Sequence, residues 1–282
     1  MKSFTNLLHG AIDYAGLFPP ASLDLRAALS SYAAYRQSGD SWALGRVILP
    51  FPVLAECEAS SPGLASHVSV LLGADYRGEI DALRRQEWSY DTFECKVTDI
   101  AAVEEIVRLL PRGARVFVET DAQRASSDWI AAVGQAGAAA KVRTGGVVPE
   151  AIPATSDLAG FLSFCVRHHV PFKATAGLHH PIRAAHALTY DGNAPVGVMH
   201  GFVNVMVATA MLSLGAAPEE VCAVLTETCP DAFAFGDEHL TWGSTSISIE
   251  QIDAMRQDNM QCFGSCSFTE PMEDSRALGW LS

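Results

Sequence analysis

The feature that most constrains the fold is a repeated alternation between short β-rich runs and longer helical segments. The β-rich runs span residues 11–18, 45–50, 67–73, 92–98, 115–120, 138–144, 171–176 and 261–267. Between them lie segments with apolar residues at helical spacing, including residues 23–36, 100–110, 127–136 and 156–168. Such alternation is typical of βα units around a parallel sheet, and eight strands predict a closed (β/α)8 barrel, or TIM barrel, of the α/β class.

One connection departs from this pattern, because residues 178–260 are far longer than the usual βα connection of about 2–6 residues. This segment contains two predicted helices and a predicted hairpin, at residues 200–214, 218–228 and 233–247. An alternative makes residues 196–205 the eighth strand. We expect residues 1–282 to form one barrel domain, with residues 178–260 as an insertion that covers part of its mouth and restricts substrate size.

Composition limits the kinds of partner. A net charge of −13 argues against a nucleic-acid or anionic membrane surface, since both require a basic face. The chain has no apolar run near the roughly 18 residues that a membrane span needs. A small-molecule partner is therefore expected, and the pattern is compatible with a homo-oligomer.

The expected location follows from the cysteines and from the first 20 residues. Seven cysteines without a regular framework favour a reducing compartment over a disulfide scaffold. His9 and Asp13 interrupt the early apolar stretch before a secretory core could form. We therefore expect a cytoplasmic protein whose first residues belong to the fold.

Lysine is scarce and unevenly placed. Only four of the 19 basic residues are lysines, and Lys96, Lys141 and Lys173 all lie late in predicted strands. Active sites of (β/α)8 barrels form at the carboxyl ends of the strands. Each lysine could instead reach solvent or pair with Glu94 or Glu119, but three such positions favour a site. Lysines crowded in a dry cavity should lower each other's pKa, as an amine nucleophile for Schiff-base chemistry requires.

Several motifs, in order along the chain, resemble the deoxyribose-phosphate aldolase family of class I aldolases. Residues 12–14 are similar to that family's first strand, and residues 141–145 (Lys-Val-Arg-Thr-Gly) resemble its sixth-strand motif Lys-x-x-Thr-Gly. Residues 173–177 resemble the seventh-strand motif with a second lysine, and residues 263–267 resemble the eighth-strand phosphate loop. After Lys173, however, the family's Gly-Gly-Ile-Arg is replaced by Gly-Leu-His-His-Pro, which implies a changed substrate.

The resemblance implies a class I aldolase or lyase that acts on a small carbonyl compound, which could be phosphorylated. Lys141 would form the Schiff base, Lys173 would tune it, and Glu94, Lys96 and Glu119 would be their polar partners. Glycines at the strand ends would let backbone N–H groups approach an anion. The expected substrate-binding residues are Asp13, Arg143, Thr144, Gly145, Gly146, Thr175, Gly177, His179, His180, Gly264, Ser265 and Cys266.

Two other interpretations concern a metal site and a cysteine nucleophile. His179 and His180, with His200, Cys262 and Cys266, are residue types that bind zinc, but no compact spacing links them, so we predict no metal and no cofactor. Cys266 is expected to be a buried, inert thiol rather than a nucleophile. The rival functions are a metal-dependent lyase and a non-catalytic barrel that binds or senses an anion.

Overall fold

The computed structural model describes residues 1–87 and 89–281. Trp88 and Ser282, the last residue of the predicted domain, lie outside the described residues. The strands are β1 Ile12–Tyr14, β2 Leu44–Pro50, β3 Val68–Leu71, β4 Thr92–Cys95, β5 Arg115–Asp121, β6 Ala139–Arg143, β7 Phe172–Thr175, β8 Ala184–Ala187, β9 Val196–Met199, β10 Phe233–Phe235, β11 His239–Trp242, β12 Thr245–Ser248 and β13 Met260–Ser265. The α-helices are α1 Lys2–Leu8, α2 Leu25–Gln37, α3 Leu54–Ser60, α4 Tyr76–Arg85, α5 Ile100–Leu109, α6 Ser127–Gln135, α7 Thr155–Arg167, α8 Phe202–Ser213, α9 Pro218–Thr226, α10 Ile249–Asp258 and α11 Thr269–Ala277.

Strands β1 to β7 and β13 form one closed parallel barrel, in which β13 lies between β7 and β1. The prediction of a (β/α)8 barrel with an insertion before its last strand is confirmed. Several helices begin at residues whose side chains accept a hydrogen bond from the first turn, as Asp24 does from Ala27 N and Ser126 from Trp129 N. These caps fix where the loops before those helices end.

Alternation along the strands separates the helix-facing core from the barrel interior. On β5, Val116 and Val118 belong to the apolar core that packs against the helices. Phe117 lies between them in sequence, and the Lys173 ammonium is 5.3 Å from its ring centroid. The residues that follow Phe117 at a spacing of two, beginning with Glu119, share its inward face. Glu119 therefore points into the barrel rather than towards the helices.

The insertion comprises the β8–β9 hairpin, helices α8 and α9, the sheet β10 to β12, and helix α10, which packs against β13. Strands β8 and β9 form an antiparallel hairpin, so the alternative in which residues 196–205 are the eighth barrel strand is wrong. Helices α8 and α9 pack together against α7. The predicted hairpin at residues 233–247 is a three-stranded sheet, β10 to β12, because the turn residues near Gly236 and Gly243 make two reversals.

The sheet β10 to β12 lies away from the strand ends that carry the predicted site. Strands β10 and β11 contact α1, which precedes the first barrel strand, and Phe235 packs edge-on against Phe4. None of the helices in residues 1–87 and 89–281 combines the length and the apolarity needed to cross a membrane.

Candidate active site

One buried carboxylate joins the two lysines inside the barrel. Glu94 Oε2 lies 2.7 Å from Lys141 Nζ, and Glu94 Oε1 lies 2.8 Å from Lys173 Nζ. The barrel register explains this meeting, because Lys141 and Lys173 are directly paired on β6 and β7. The structure thus brings both sequence-predicted lysines to one acidic group, as expected for residues that act together.

Two further carboxylates flank this pair. Glu119 Oε2 lies 2.7 Å from Lys141 Nζ, and Asp13 forms an ion pair with Lys173. Ser69 donates a hydrogen bond to Glu94 at 2.7 Å. The alternating chain of Asp13, Lys173, Glu94, Lys141 and Glu119 therefore carries one more negative than positive charge when all five are ionised.

These pairings decide the protonation of the buried groups. Burial by itself lowers the pKa of Lys173, but attraction to Asp13, Cys262 and Glu94 outweighs it and raises that pKa well above its usual value. Burial raises the pKa of Glu94, but Lys141 and Lys173 together hold it well below its usual range. Lys141 similarly lowers the pKa of Glu119 against the effect of burial. The expectation that crowding lowers a lysine pKa is wrong for Lys173, because carboxylates separate the ammonium groups.

A cavity of about 270 Å³ opens above this cluster. Lys141 is 4% exposed and lines the cavity, whereas Lys173 is completely buried beneath it. The predicted site residues that line the cavity are Glu94, Glu119, Lys141, Arg143, Gly146, Thr175, Gly177, His179, His180, Gly264 and Cys266. Of the two lysines, Lys141 is therefore the one that a ligand can reach.

The other predicted residues lie around this cavity rather than on its surface. Asp13 is buried next to Lys173, and Thr144 and Ser265 are buried at the ends of their strands. Lys96 follows the last residue of β4, and its side chain is 57% exposed. Its Nζ lies 3.6 Å from Glu119 Oε1, which places Lys96 at the rim of the charged cluster.

The glycines of the predicted anion site have a packing role. A Cβ atom on Gly177 would lie 2.9 Å from Gly145 Cα, and one on Gly145 would lie 2.9 Å from Gly177 Cα. Gly177 also has a φ of +81°, in the region that favours glycine. These two glycines therefore let the loops after β6 and β7 touch.

Replacing Gly177 with Ala should destabilise the protein by about 2–4 kcal/mol, since a left-handed backbone and a steric clash are combined. Gly215→Ala is the matched control, because Gly215 has a φ of +86° but no atom within 4 Å of the added Cβ. Urea unfolding of both variants measures the difference. Equal losses would show that the loop contact adds nothing to the backbone strain.

A second cluster of polar groups lies on the cavity wall. His179 Nδ1 lies 2.9 Å from Glu270 Oε2, and the Tyr190 hydroxyl donates to Glu270 Oε1 at 3.0 Å. Cys266 Sγ lies 3.6 Å from the Tyr190 hydroxyl oxygen. Nearby, His180 Nδ1 lies 2.6 Å from Asp274 Oδ2. This cluster combines predicted residues with Glu270 and Tyr190, which the sequence interpretation missed.

Sequence signals for the missed residues exist but are weak. Tyr190 precedes Asp191-Gly192, a turn-forming pair that joins β8 to β9. Glu270 lies in the first turn of α11, directly after the eighth barrel strand and its loop. Neither position identifies a partner without the barrel geometry.

The insertion reaches the cavity only through its first part. Among the described residues that line the cavity, those of the insertion lie between Leu178 and Met199 and include Leu188 and Tyr190 from the β8–β9 hairpin region. The helices and the sheet that follow do not contribute to the lining. The insertion therefore covers part of the mouth with about a quarter of its length.

The residues whose types could bind zinc lie in separate places. His200 Nε2 is 2.9 Å from Pro153 O, and Cys262 Sγ is 3.1 Å from Asp13 Oδ2, beneath the lysine pair. His179 and Cys266 are on the cavity wall. Within the part of the chain that the structure describes, no group of three or more His, Cys, Asp or Glu side chains is arranged to hold a metal ion.

The fold defines the chain as a TIM barrel, with a charged lysine cluster inside the barrel beneath the cavity. No family model matches the sequence, and no curated protein matches it significantly.

Proposed function

We propose that this barrel is a class I aldolase or lyase that acts on a small carbonyl compound through a Schiff base on Lys141. The observation that carries the proposal is the position of the Lys141 amine, which borders the cavity and lies 2.7 Å from each of two carboxylates. A lysine amine in such a position can attack a carbonyl carbon once its proton has left.

The carboxylates supply the route for that proton. Glu119 lines the cavity and also lies 3.3 Å from Arg143 Nη2, near the exposed Lys96. It can accept a proton from Lys141 and pass it to the substrate or to water. The free amine then adds to the carbonyl, water leaves, and the resulting iminium withdraws electrons so that the adjacent carbon–carbon bond can break.

Lys173 is assigned a tuning role, since it is fully buried and does not border the cavity. Its ammonium shares Glu94 with Lys141. By partly neutralising that carboxylate, Lys173 reduces the negative charge that would otherwise stabilise the ammonium form of Lys141. A permanently protonated Lys173 thus favours the reactive amine.

The test is reductive trapping of the wild-type protein with borohydride and a panel of small aldehydes and ketones, with and without a phosphate group. Peptide mapping should place the reduced adduct on Lys141. Turnover of a carbonyl substrate without an adduct on Lys141 would refute the Schiff base. If that turnover depended on an added divalent cation, the metal-dependent lyase would replace it.

Replacing Lys173 with Met should slow trapping at neutral pH by about tenfold. Without the Lys173 ammonium, the full charge of Glu94 stabilises the ammonium form of Lys141, and a tenfold change corresponds to about 1.4 kcal/mol of electrostatic difference. The rate should recover at higher pH, where more of Lys141 is unprotonated. Trapping rates between pH 6 and 10 measure this shift. An unchanged pH profile would remove Lys173 from the proposed mechanism.

A further inference from the structure

On the cavity wall, a thiol contacts an imidazole, and the imidazole in turn contacts a carboxylate. Cys266 Sγ lies 3.9 Å from each ring nitrogen of His179, and His179 Nδ1 lies 2.9 Å from Glu270 Oε2. His179 lies in the loop after β7, Cys266 directly follows β13, and Glu270 is in the first turn of α11. All three border the cavity. This order, with the base held by a third group, is the arrangement that activates a nucleophile.

The groups around His179 favour a proton on its imidazole. Burial by itself lowers the pKa of His179, but its hydrogen bonds with Cys266 and Glu270 raise that pKa to about 9. Burial raises the pKa of Glu270, but His179 and Tyr190 lower it overall, so Glu270 stays ionised.

Two other buried cysteines lack these neighbours. Cys165 is completely buried, and burial alone raises its pKa well above the usual value. Cys262 lies beside Asp13, and burial together with that carboxylate raises its pKa to about 12, against the opposing effect of Lys173. Neither borders the cavity. Cys266 therefore differs from both in having an imidazole partner and in bordering the cavity.

We propose that Cys266 is a second nucleophile of this cavity, with His179 as its base, and that it adds reversibly to a small aldehyde. The sulfur bonds to the aldehyde carbon while the carbonyl π bond breaks. The thiol proton passes through His179 to the aldehyde oxygen, giving a neutral hemithioacetal without any oxidant or reductant. The choice of an aldehyde rests on the proposed function, whereas the reactivity of the thiol does not.

The first test is brief labelling with limiting iodoacetamide at pH 7, followed by peptide mass spectrometry. Cys229, which is exposed, serves as the internal reference. Cys266 should be labelled faster than Cys229, and His179→Gln should slow Cys266 at least about tenfold relative to Cys229. His168→Gln is the matched control, because His168 contacts Ser127 and does not line the cavity.

Two results would overturn the reactive thiol. One is labelling of Cys266 as slow as that of Cys165 in the wild-type protein. The other is an equal rate for Cys266 in the His179→Gln and His168→Gln variants. Circular dichroism of both variants separates a change in reactivity from a loss of folding.

The aldehyde adduct is tested by protection. Propanal should slow iodoacetamide labelling of Cys266 at least about tenfold, both in the wild-type protein and in Lys141→Arg, where no Schiff base can form. Protection that disappears in Lys141→Arg would overturn the hemithioacetal. Protection that persists while trapping of the wild-type protein fails would refute the proposed function and leave the thiol adduct standing.

Discussion

Lys141→Arg should abolish reductive trapping altogether, a loss of at least about a thousandfold. A guanidinium remains protonated and cannot form an iminium with a carbonyl compound. It nevertheless keeps the positive charge between Glu94 and Glu119, whose oxygens each lie 2.7 Å from the lysine nitrogen. The variant should therefore lose the chemistry while preserving the electrostatic pairing of the site.

The measurement is the mass of the borohydride-reduced protein, compared with the wild-type protein under the same carbonyl compound. Lys96→Arg is the matched control, because Lys96 is at the exposed rim and does not line the cavity. It should trap the compound as the wild-type protein does. An adduct of equal yield in Lys141→Arg would assign the Schiff base to another lysine.

Glu94→Gln should lower the free energy of unfolding by about 3–5 kcal/mol, the usual cost of breaking a buried ion pair. Glu94 is completely buried and is the carboxylate that Lys141 and Lys173 share. The amide is nearly isosteric, so the expected loss comes from two ammonium groups left with less opposing charge. No cavity is created that could explain it.

Chemical unfolding at pH 7 measures this loss, with Glu105→Gln as control. Glu105 pairs with the exposed Arg77 at 2.5 Å, and solvent screens such a pair, so its removal should change stability much less. A comparable effect of both substitutions would mean that the buried lysines do not depend on Glu94.

The pH dependence of stability supplies a second measurement on the same variant. Because the folded-state pKa of Glu94 is lower than its unfolded value of about 4.3, its ionisation stabilises the fold above that value. This contribution is lost as the pH falls towards the folded-state pKa. Wild-type stability should therefore decline below about pH 5, and Glu94→Gln should show a shallower decline there.

Much of the barrel was predictable because local patterns encode it. Short apolar strands and capped amphipathic helices alternate, and each predicted barrel strand overlaps an observed one, as residues 115–120 overlap Arg115–Asp121. The β8–β9 hairpin was missed, because its strands expose residues on one face and show little apolar alternation, as Ala184–Ala187 illustrates. Its two strands are joined by antiparallel pairing.

By itself, the sequence determined which strands carry Lys141, Lys173 and Glu94, and the period-two geometry of strands determined that these residues point inwards. Only the tertiary structure decided that Asp13, 160 residues before Lys173, neutralises it and raises its pKa. Only the structure joined His179 to Cys266 and Glu270 on one cavity wall. The physical reason is that pairing of charges depends on distance and burial, and barrel closure sets both for residues far apart in the chain.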